Sequence, residues 1–384
     1  MKIHVWVPDY SSGTGGIQTL SRFAVRAIRE IWPDARILVL SKNDASYPDM
    51  QNEAADEVRV VGWWPQRLRT AAFAVELILR AAKDRPDWVY VAHANFAPVA
   101  AAVRKLFGTR FVVVANGIEV WKIQSRLIRS ALRTADRLLP ISEFTRQRLA
   151  AELQISSGSM PLFPCTFDAD TFLPSPKPRF LLKRYGLRED QPIILTISRL
   201  ASAERYKGYD QVLHSLPLLR DRFPHIRYIL GGRGPDRARV EALIDALGLR
   251  ENVILAGFVP DHELRSHYNL CDVFAMPSKG EGFGIVFLEA AGCGKPVLAG
   301  NKDGSVDAVL GGRTGAVVDP DDIQQIQTTL LQLVSGTHSN GLLRDPTALR
   351  SQVIDAFGFQ RFTDRLHDIV APLVNCRPVP ALTP

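Results

Sequence analysis

Short apolar runs alternate with amphipathic stretches from the first residues onward. Ile3–Val7, Ile37–Leu40, Trp88–Val91 and Phe111–Val114 read as buried strands, and Gln18–Ile31 and Thr70–Ala82 carry a helical period. This βαβα order predicts a parallel sheet with helices on both faces. The pattern breaks between Met160 and Pro178, where Pro161, Pro164, Pro174, Pro176 and Pro178 crowd together as in an interdomain linker. It restarts at Gln191–Ser198 and continues through Arg227–Leu230, Val253–Ala256, Val273–Met276 and Pro296–Ala299. The expected fold class is therefore α/β, with two doubly wound domains of similar size. The expected boundaries are 1–172 for the first domain and 173–357 for the second. Residues 358–384 are expected to form a C-terminal helix packing back on the first domain, with a frayed proline-rich tail from Arg377.

Composition narrows the class without choosing the chemistry. The chain has 384 residues, 46% hydrophobic and 23% charged, which excludes collagen, coiled coil and wholesale disorder. No run approaches about 18 consecutive apolar residues, so no membrane-spanning helix is expected. Met1–Val7 has no signal-peptide character and reads as a first strand, which points to the cytoplasm. Cys165, Cys271, Cys293 and Cys376 lie too far apart for metal-ligand or redox spacing and read as buried or incidental thiols. The net charge of +7 suits nucleic acid, anionic lipid or a phosphorylated ligand. No nucleic-acid motif or aromatic-interleaved groove supports the first of these.

In doubly wound sheets, ligands bind beyond the carboxyl ends of strands, and four loops there carry candidate chemistry. The first, Pro8–Ile17, holds Gly15 and Gly16 before a helix; it reads as a phosphate-facing loop or as a plain tight turn. The second places Arg199 at a strand end and Lys207 eight residues later, two cations that suit a diphosphate or are solvated surface charges. The third, Gly231–Pro235 with Gly232, is a backbone-permissive loop or a simple turn. The fourth runs from Pro277 through Glu281, Phe283, Gly284 and Ile285 into a helix bearing Glu289. Glu289 stands in an otherwise apolar helix, where a carboxylate is costly without donors such as sugar hydroxyls. Free N–H groups at Phe283–Ile285 would meet a phosphate at the same helix start.

With Glu281 and Glu289 eight apart, the chain resembles the retaining glycosyltransferases of the GT-B fold, "glycosyl transferases group 1", family 4. That group includes glycogen synthases and bacterial mannosyltransferases. The resemblance spans nearly the whole chain. It rests also on Gly15-Gly16, on Arg199 with Lys207-Gly208, and on Asn116–Trp121. Gly257–Pro260, Gly292–Pro296 and Gly315–Pro320 complete it. Asn116 stands where many relatives have histidine, and His93 is a second candidate for that contact. Pro164–Asp168 departs from the usual linker. Asp168-Ala-Asp170 looks like a metal-binding pair but lies inside the linker, so no metal is expected.

The resemblance implies two Rossmann-like domains facing a central cleft, the first for the acceptor and the second for the nucleotide sugar. It implies transfer of a hexose with retained configuration, first mannose from GDP-mannose, to a saccharide or polyprenyl-diphosphate-linked acceptor in exopolysaccharide or lipopolysaccharide synthesis. Arg199, Lys207 and the helix start after Gly284 would neutralise the departing diphosphate. Glu281 would hold donor sugar hydroxyls and Glu289 the ribose diol, while Gly15, Gly16, Gly232, Phe283, Gly284 and Ile285 line the nucleotide. His93, Asn116 and Glu119 are candidate substrate contacts. The nucleotide sugar is a co-substrate, and no further cofactor is expected. Lys122, Arg126, Arg129, Arg133 and Arg137 have spacings of one helical face, and Trp63-Trp64 with Arg67 and Arg69 adds aromatic and basic residues. Both features suit an anionic surface at the inner face of the membrane, or are solvated. Alternatives are a UDP-glucose or UDP-N-acetylglucosamine donor, a sugar-nucleotide epimerase, or a non-catalytic sugar-nucleotide-binding protein.

Overall fold

The computed structural model describes residues 1–11, 15–46 and 54–375. The centre of the first glycine loop, Cys376 and the tail from Arg377 lie outside the described residues. The chain divides into two compact units, Met1–Thr166 with the segment from Phe359, and Phe167–Gly358.

In the first unit, strands β1 (Lys2–Val7), β2 (Arg36–Ser41), β3 (Glu57–Val60), β4 (Trp88–Val91), β5 (Arg110–Ala115) and β6 (Arg137–Pro140) form one parallel sheet. Its order is β3-β2-β1-β4-β5-β6. The central strands are buried along almost their whole length, which is why they read as unbroken apolar runs. The edge strand β3, Glu-Val-Arg-Val, is half exposed and carries no such run. The helices are α1 (Gly16–Ile31), α2 (Gln66–Asp84), α3 (Ala97–Phe107), α4 (Ile118–Trp121), α5 (Arg126–Arg133) and α6 (Glu143–Leu153). Phe73, Leu77 and Ala81 of α2, Val103 of α3 and Leu149 of α6 belong to one core under the sheet.

In the second unit, β7 (Ile193–Ile197), β8 (Arg227–Gly231), β9 (Val253–Gly257), β10 (Val273–Met276), β11 (Val297–Gly300) and β12 (Ala316–Val318) make a second parallel sheet, ordered β12-β11-β10-β7-β8-β9. Its helices are α7 (Arg179–Tyr185), α8 (Tyr209–Arg222), α9 (Arg237–Ala246), α10 (Asp261–Leu270), α11 (Ile285–Gly292), α12 (Ser305–Ala308), α13 (Ile323–Val334) and α14 (Pro346–Phe357). A last helix, α15 (Phe359–Asn375), belongs to the first unit. There Phe359 stacks on Phe23 of α1 with ring centres 5.9 Å apart, and the Arg26 guanidinium lies 4.1 Å above the same ring.

Both sheets reverse their strand order beside their first strand, between β1 and β4 and between β7 and β10. At such a reversal the flanking helices go to opposite faces and leave a crevice at the carboxyl ends. No helix among the described residues is long and apolar enough to cross a membrane.

The structure corrects the basic-face expectation. Helix α5 covers only Arg126–Arg133, because Ser125 caps a fresh start by accepting from Ile128 N (3.3 Å) and the chain leaves the helix at Thr134. Lys122 follows the end of α4, and Arg137 opens β6, so the five cations share no helical face. Arg129 is tied to Ile123 O (2.6 Å) and Glu152 (3.1 Å), and Arg133 to Leu153 O (2.8 Å). The proline-rich segment forms no strand, yet Met160, Phe163 and Phe167 in it are buried, and Phe163 N donates to Pro140 O at 2.9 Å.

Candidate active site

The strand reversal of the second unit gathers most of the candidate residues. β7 ends at Ile197, and the backbone beyond it is clamped by the loop after β8. Ser198 N donates to Gly231 O and Leu200 N to Arg233 O, both at 2.9 Å. Gly232 lies so close that a Cβ there would fall 1.7 Å from Ser198 O. The glycine loop thus sets the course of the chain bearing Arg199. A short 3₁₀ turn, Ser202–Lys207, follows, and Gly208 joins it to α8. Gly208 has φ 84° and packs against Pro277 O, at 2.3 Å from a would-be Cβ, so no other residue fits without strain. That contact brings Lys207 from the β7 side to the loop after β10.

There Lys207 Nζ forms an ion pair with Glu281 Oε1. Both side chains are largely sheltered, 17% and 14% exposed. Burial works against the Lys207 charge, but Glu281 together with Tyr206 and Glu204 more than offsets it, so its pKa lies above the ordinary lysine value. Arg199 pairs through both sides of its guanidinium with Glu204 and is otherwise open to solvent, 77% exposed. Each cation of the basic pair therefore has its own carboxylate.

Glu281 is held by its backbone as well. Buried Asp303, in the loop after β11, accepts from Glu281 N (2.7 Å), Ser278 Oγ (2.7 Å) and Ser305 N (2.9 Å). Gly304 N donates to Glu281 O at 2.9 Å. Phe283 is buried edge-on against Phe357, ring centres 5.4 Å apart. Gly284 then starts α11 with no side-chain cap; Phe287 N donates to Gly284 O at 3.1 Å, and the Ile285 and Val286 N–H groups precede the first turn's internal bonds. One turn further, Glu289 is half-buried and takes a hydrogen bond from the buried Tyr268 hydroxyl at 2.7 Å. Burial pushes its pKa up to about 7; the Tyr268 bond works against this and Asp261 adds to it. A carboxylate so poised gains most from hydroxyl donors that arrive with a ligand.

The first unit arranges its candidates differently. Gly15 starts α1 without a side-chain cap, with Gly16 as its first helical residue. The loop stem is fixed by buried Asp44, which accepts from Tyr10 N (2.7 Å), Ser11 N (3.1 Å) and Ser41 Oγ (2.6 Å). His93 follows β4; its Nδ1 accepts from Asn95 N at 3.2 Å, and burial holds its pKa below the ordinary value. Asn116 follows β5, donating from Nδ2 to Ala92 O (2.8 Å), while its N–H donates to Glu119 Oε1 (2.6 Å). His93, Asn116 and Glu119 thus share one end of the sheet and bond to backbone. Asp168, just inside the second unit, caps its own turn, accepting from Asp170 N and Thr171 N at 3.1 and 3.0 Å.

Sequence reasoning missed Glu204, Asp303 and Tyr268. Asp303-Gly-Ser305 after an apolar run had an Asx-turn signal. Glu204 and Tyr268 carried none, because their importance lies in which side chain they meet.

Residues 20–171 match the family model described as glycosyltransferase family 4, and residues 179–344 match that of glycosyl transferases group 1. The chain belongs to this glycosyltransferase family. The chain is 35% identical over 256 residues to a GDP-mannose-dependent alpha-(1-6)-phosphatidylinositol monomannoside mannosyltransferase of Mycolicibacterium smegmatis, covering 64% of the chain and 66% of the relative. The chain thus spans just under two thirds of that relative's length. A GDP-mannose-dependent mannosyltransferase of Corynebacterium glutamicum acting on the monoacylated form is 26% identical, over 85% of the chain and 87% of its own. Among solved structures, a glycosyltransferase of Rickettsia africae superposes with a TM-score of 0.80 at 19% identity, over 98% and 99% of the two chains. The Anabaena protein HepE, solved with UDP-glucose, gives 0.78 at 20%, over 98% and 100%. These establish the two-domain α/β GT-B fold for the chain.

Proposed function

We propose that this glycosyltransferase moves mannose from GDP-mannose to a lipid-linked or saccharide acceptor with retention of configuration, at the inner face of the membrane. The observation that carries the reading is the meeting of Lys207 and Glu281 at the strand reversal of the second unit, with Glu289 one helical stretch beyond. The choice of mannose and of a lipid acceptor follows the names of the mannosyltransferase relatives.

The chemistry to be served is loss of a nucleoside diphosphate from the anomeric carbon. In this reading the C1–O bond to the β-phosphate breaks while an acceptor hydroxyl oxygen bonds to C1 on the same face. The hydroxyl proton passes to the departing phosphate oxygen. Arg199 and Lys207 take up the charge that develops on the diphosphate, together with the Ile285 and Val286 N–H groups at the start of α11. The chain's own cations thus do what a divalent ion does in other transferases, and no metal is required. Lys207 must leave Glu281 for the phosphate, and Glu281 is then free to accept from sugar hydroxyls. Glu289, ionised, accepts from the ribose diol.

A thermal-shift panel of GDP-, UDP-, ADP- and dTDP-sugars on the purified chain tests the donor, since a ligand bound only by the native state raises Tm by mass action. Selective stabilisation by GDP-mannose is the expected result. Selective stabilisation by a UDP-sugar overturns mannose and keeps the transferase. The anomeric configuration of the product, read by proton NMR, tests retention.

A further inference from the structure

Asp236 has no part in the chemistry above, yet its carboxylate is buried and heavily bonded beside it. It directly follows the third glycine loop and precedes α9, with its side chain 2% exposed. Arg239 reaches it from Nη2 at 2.6 Å and from Nε at 2.9 Å, Arg205 from Nη2 at 2.8 Å, and the Tyr209 hydroxyl at 2.8 Å. Arg239 also bonds Asp210 at 2.9 Å. Two carboxylates and two guanidiniums thus close a neutral network. The bonds from Arg239, with those from Arg205 and Tyr209, hold the Asp236 carboxyl well below the usual carboxylate range, although burial opposes this.

Two of these donors flank Lys207. Arg205 lies two residues before it and Tyr209 two residues after it. The bow from Arg205 to Tyr209 is therefore tied at both ends to one carboxylate, with Lys207 at its midpoint. The middle of the bow rests on the loop after β10. Tyr206 O accepts from Lys279 N at 2.9 Å, and a Cβ on Gly280 would fall 2.6 Å from the Tyr206 ring. Asp236 N donates to Leu200 O at 3.0 Å, so the same residue also holds the backbone next to Arg199.

We infer that Asp236 is a positioning residue for the transferase reaction, acting through Arg205 and Tyr209 on Lys207. The inference rests on the reading of Lys207 as the cation that meets the diphosphate. In that reaction Lys207 exchanges Glu281 for the phosphate. A backbone clamped on both sides of Lys207 leaves only its side chain to move, so the cation is delivered to one place. Placement matters, because an error of about 1 Å near the reacting centre costs up to ~10²-fold in rate. A network that only stiffened the unit would act on the rate independently of Lys207.

The test is a double-mutant cycle read by release of GDP from GDP-mannose with water as the acceptor, or of UDP from UDP-glucose if that is the donor turned over. Asp236→Asn strands two guanidiniums and should lower Tm, so the cycle uses milder changes that each free one end of the bow. Arg205→Gln should slow release about tenfold and Tyr209→Phe about threefold, with KM for the donor changed by less than about twofold. Arg205→Lys, which keeps the charge, should restore most of the rate. In a Lys207→Ala background neither Arg205→Gln nor Tyr209→Phe should slow release further. Equal slowing in both backgrounds overturns the positioning role and leaves that of Lys207 standing. So does a wild-type rate in Arg205→Gln. Release by Lys207→Ala alone at the wild-type rate defeats the reading of Lys207 itself, and the positioning role falls with it.

Discussion

The two units share one strand order and one kind of crevice, yet they equip it in opposite ways. At the reversal of the second unit the candidate side chains meet other charged side chains: Lys207 with Glu281, and Arg199 with Glu204. At the reversal of the first unit His93, Asn116 and Glu119 bond to backbone. The same scaffold thus yields a site of exchangeable ion pairs in one unit and a site of fixed polar groups in the other. The difference matters because an ion pair can trade one partner for a ligand at small net cost, since a new pair replaces the old. A side chain bonded to backbone leaves an unsatisfied main-chain group behind when it moves. In the proposed reading, the second unit uses its exchangeable pairs to take up and release a charged leaving group.

The largest break in that comparison is Lys207→Ala. If this sheltered cation faces the developing diphosphate charge as proposed, its loss should lower turnover by about 10²–10³-fold, with the fold retained by circular dichroism. Near-normal initial rates would remove Lys207 from the chemistry.

Glu281→Gln separates the two roles of the pair. It keeps the shape and frees Lys207, so turnover should fall by about 10²-fold. Affinity for GDP without its sugar should rise severalfold by calorimetry, because the phosphate no longer competes with a carboxylate. Weaker GDP binding in this variant would mean that Glu281 positions Lys207 instead of holding it in reserve.

The pH dependence sharpens the comparison further. With its folded pKa near 7, Glu289 is mainly protonated at pH 6 and ionised at pH 8. If the carboxylate is what holds the ribose, GDP affinity should rise about tenfold over that interval in the wild type and stay flat in Glu289→Gln. Stability runs the other way. Between the unfolded value of 4.5 and about 7, the folded state keeps a proton that the unfolded chain has released. Rising pH therefore removes stability through that window, by at most about 3 kcal/mol. Glu289→Gln should accordingly raise Tm relative to wild type at pH 8 and not at pH 4, by scanning calorimetry.

Changes in the first unit should be the mildest. Glu119→Ala leaves the Asn116 N–H without its acceptor, so Tm should drop by an amount equivalent to about 1–3 kcal/mol while GDP affinity stays unchanged. A matching loss of GDP affinity would erase the distinction between the two crevices.

Much of this was legible along the chain. Trp88–Val91 and Val273–Met276 are strands to the residue, since a strand buried on both faces needs an unbroken apolar run. The candidate residues at strand ends were legible for a related reason, because charges interrupting such runs have no apolar packing role and glycines there mark close backbone approaches, as at Gly208 and Gly232. The edge strand β3 escaped, since it pairs through backbone and needs no apolar run. The basic series Lys122–Arg137 misled, because periodicity counts positions and does not see the break that Ser125 caps.

The sequence by itself determined the family, the two parallel sheets, and which loops carry glycines, cations and carboxylates. These follow from local composition and period, which any stretch of chain displays on its own. Only the tertiary structure decided that Lys207 meets Glu281 across the reversal between β7 and β10, that Asp303 and Tyr268 hold the two glutamates, and that Asp236 grips the chain on both sides of Lys207. Those facts depend on which strands lie side by side, and residues tens of positions apart become neighbours only when the sheet is assembled.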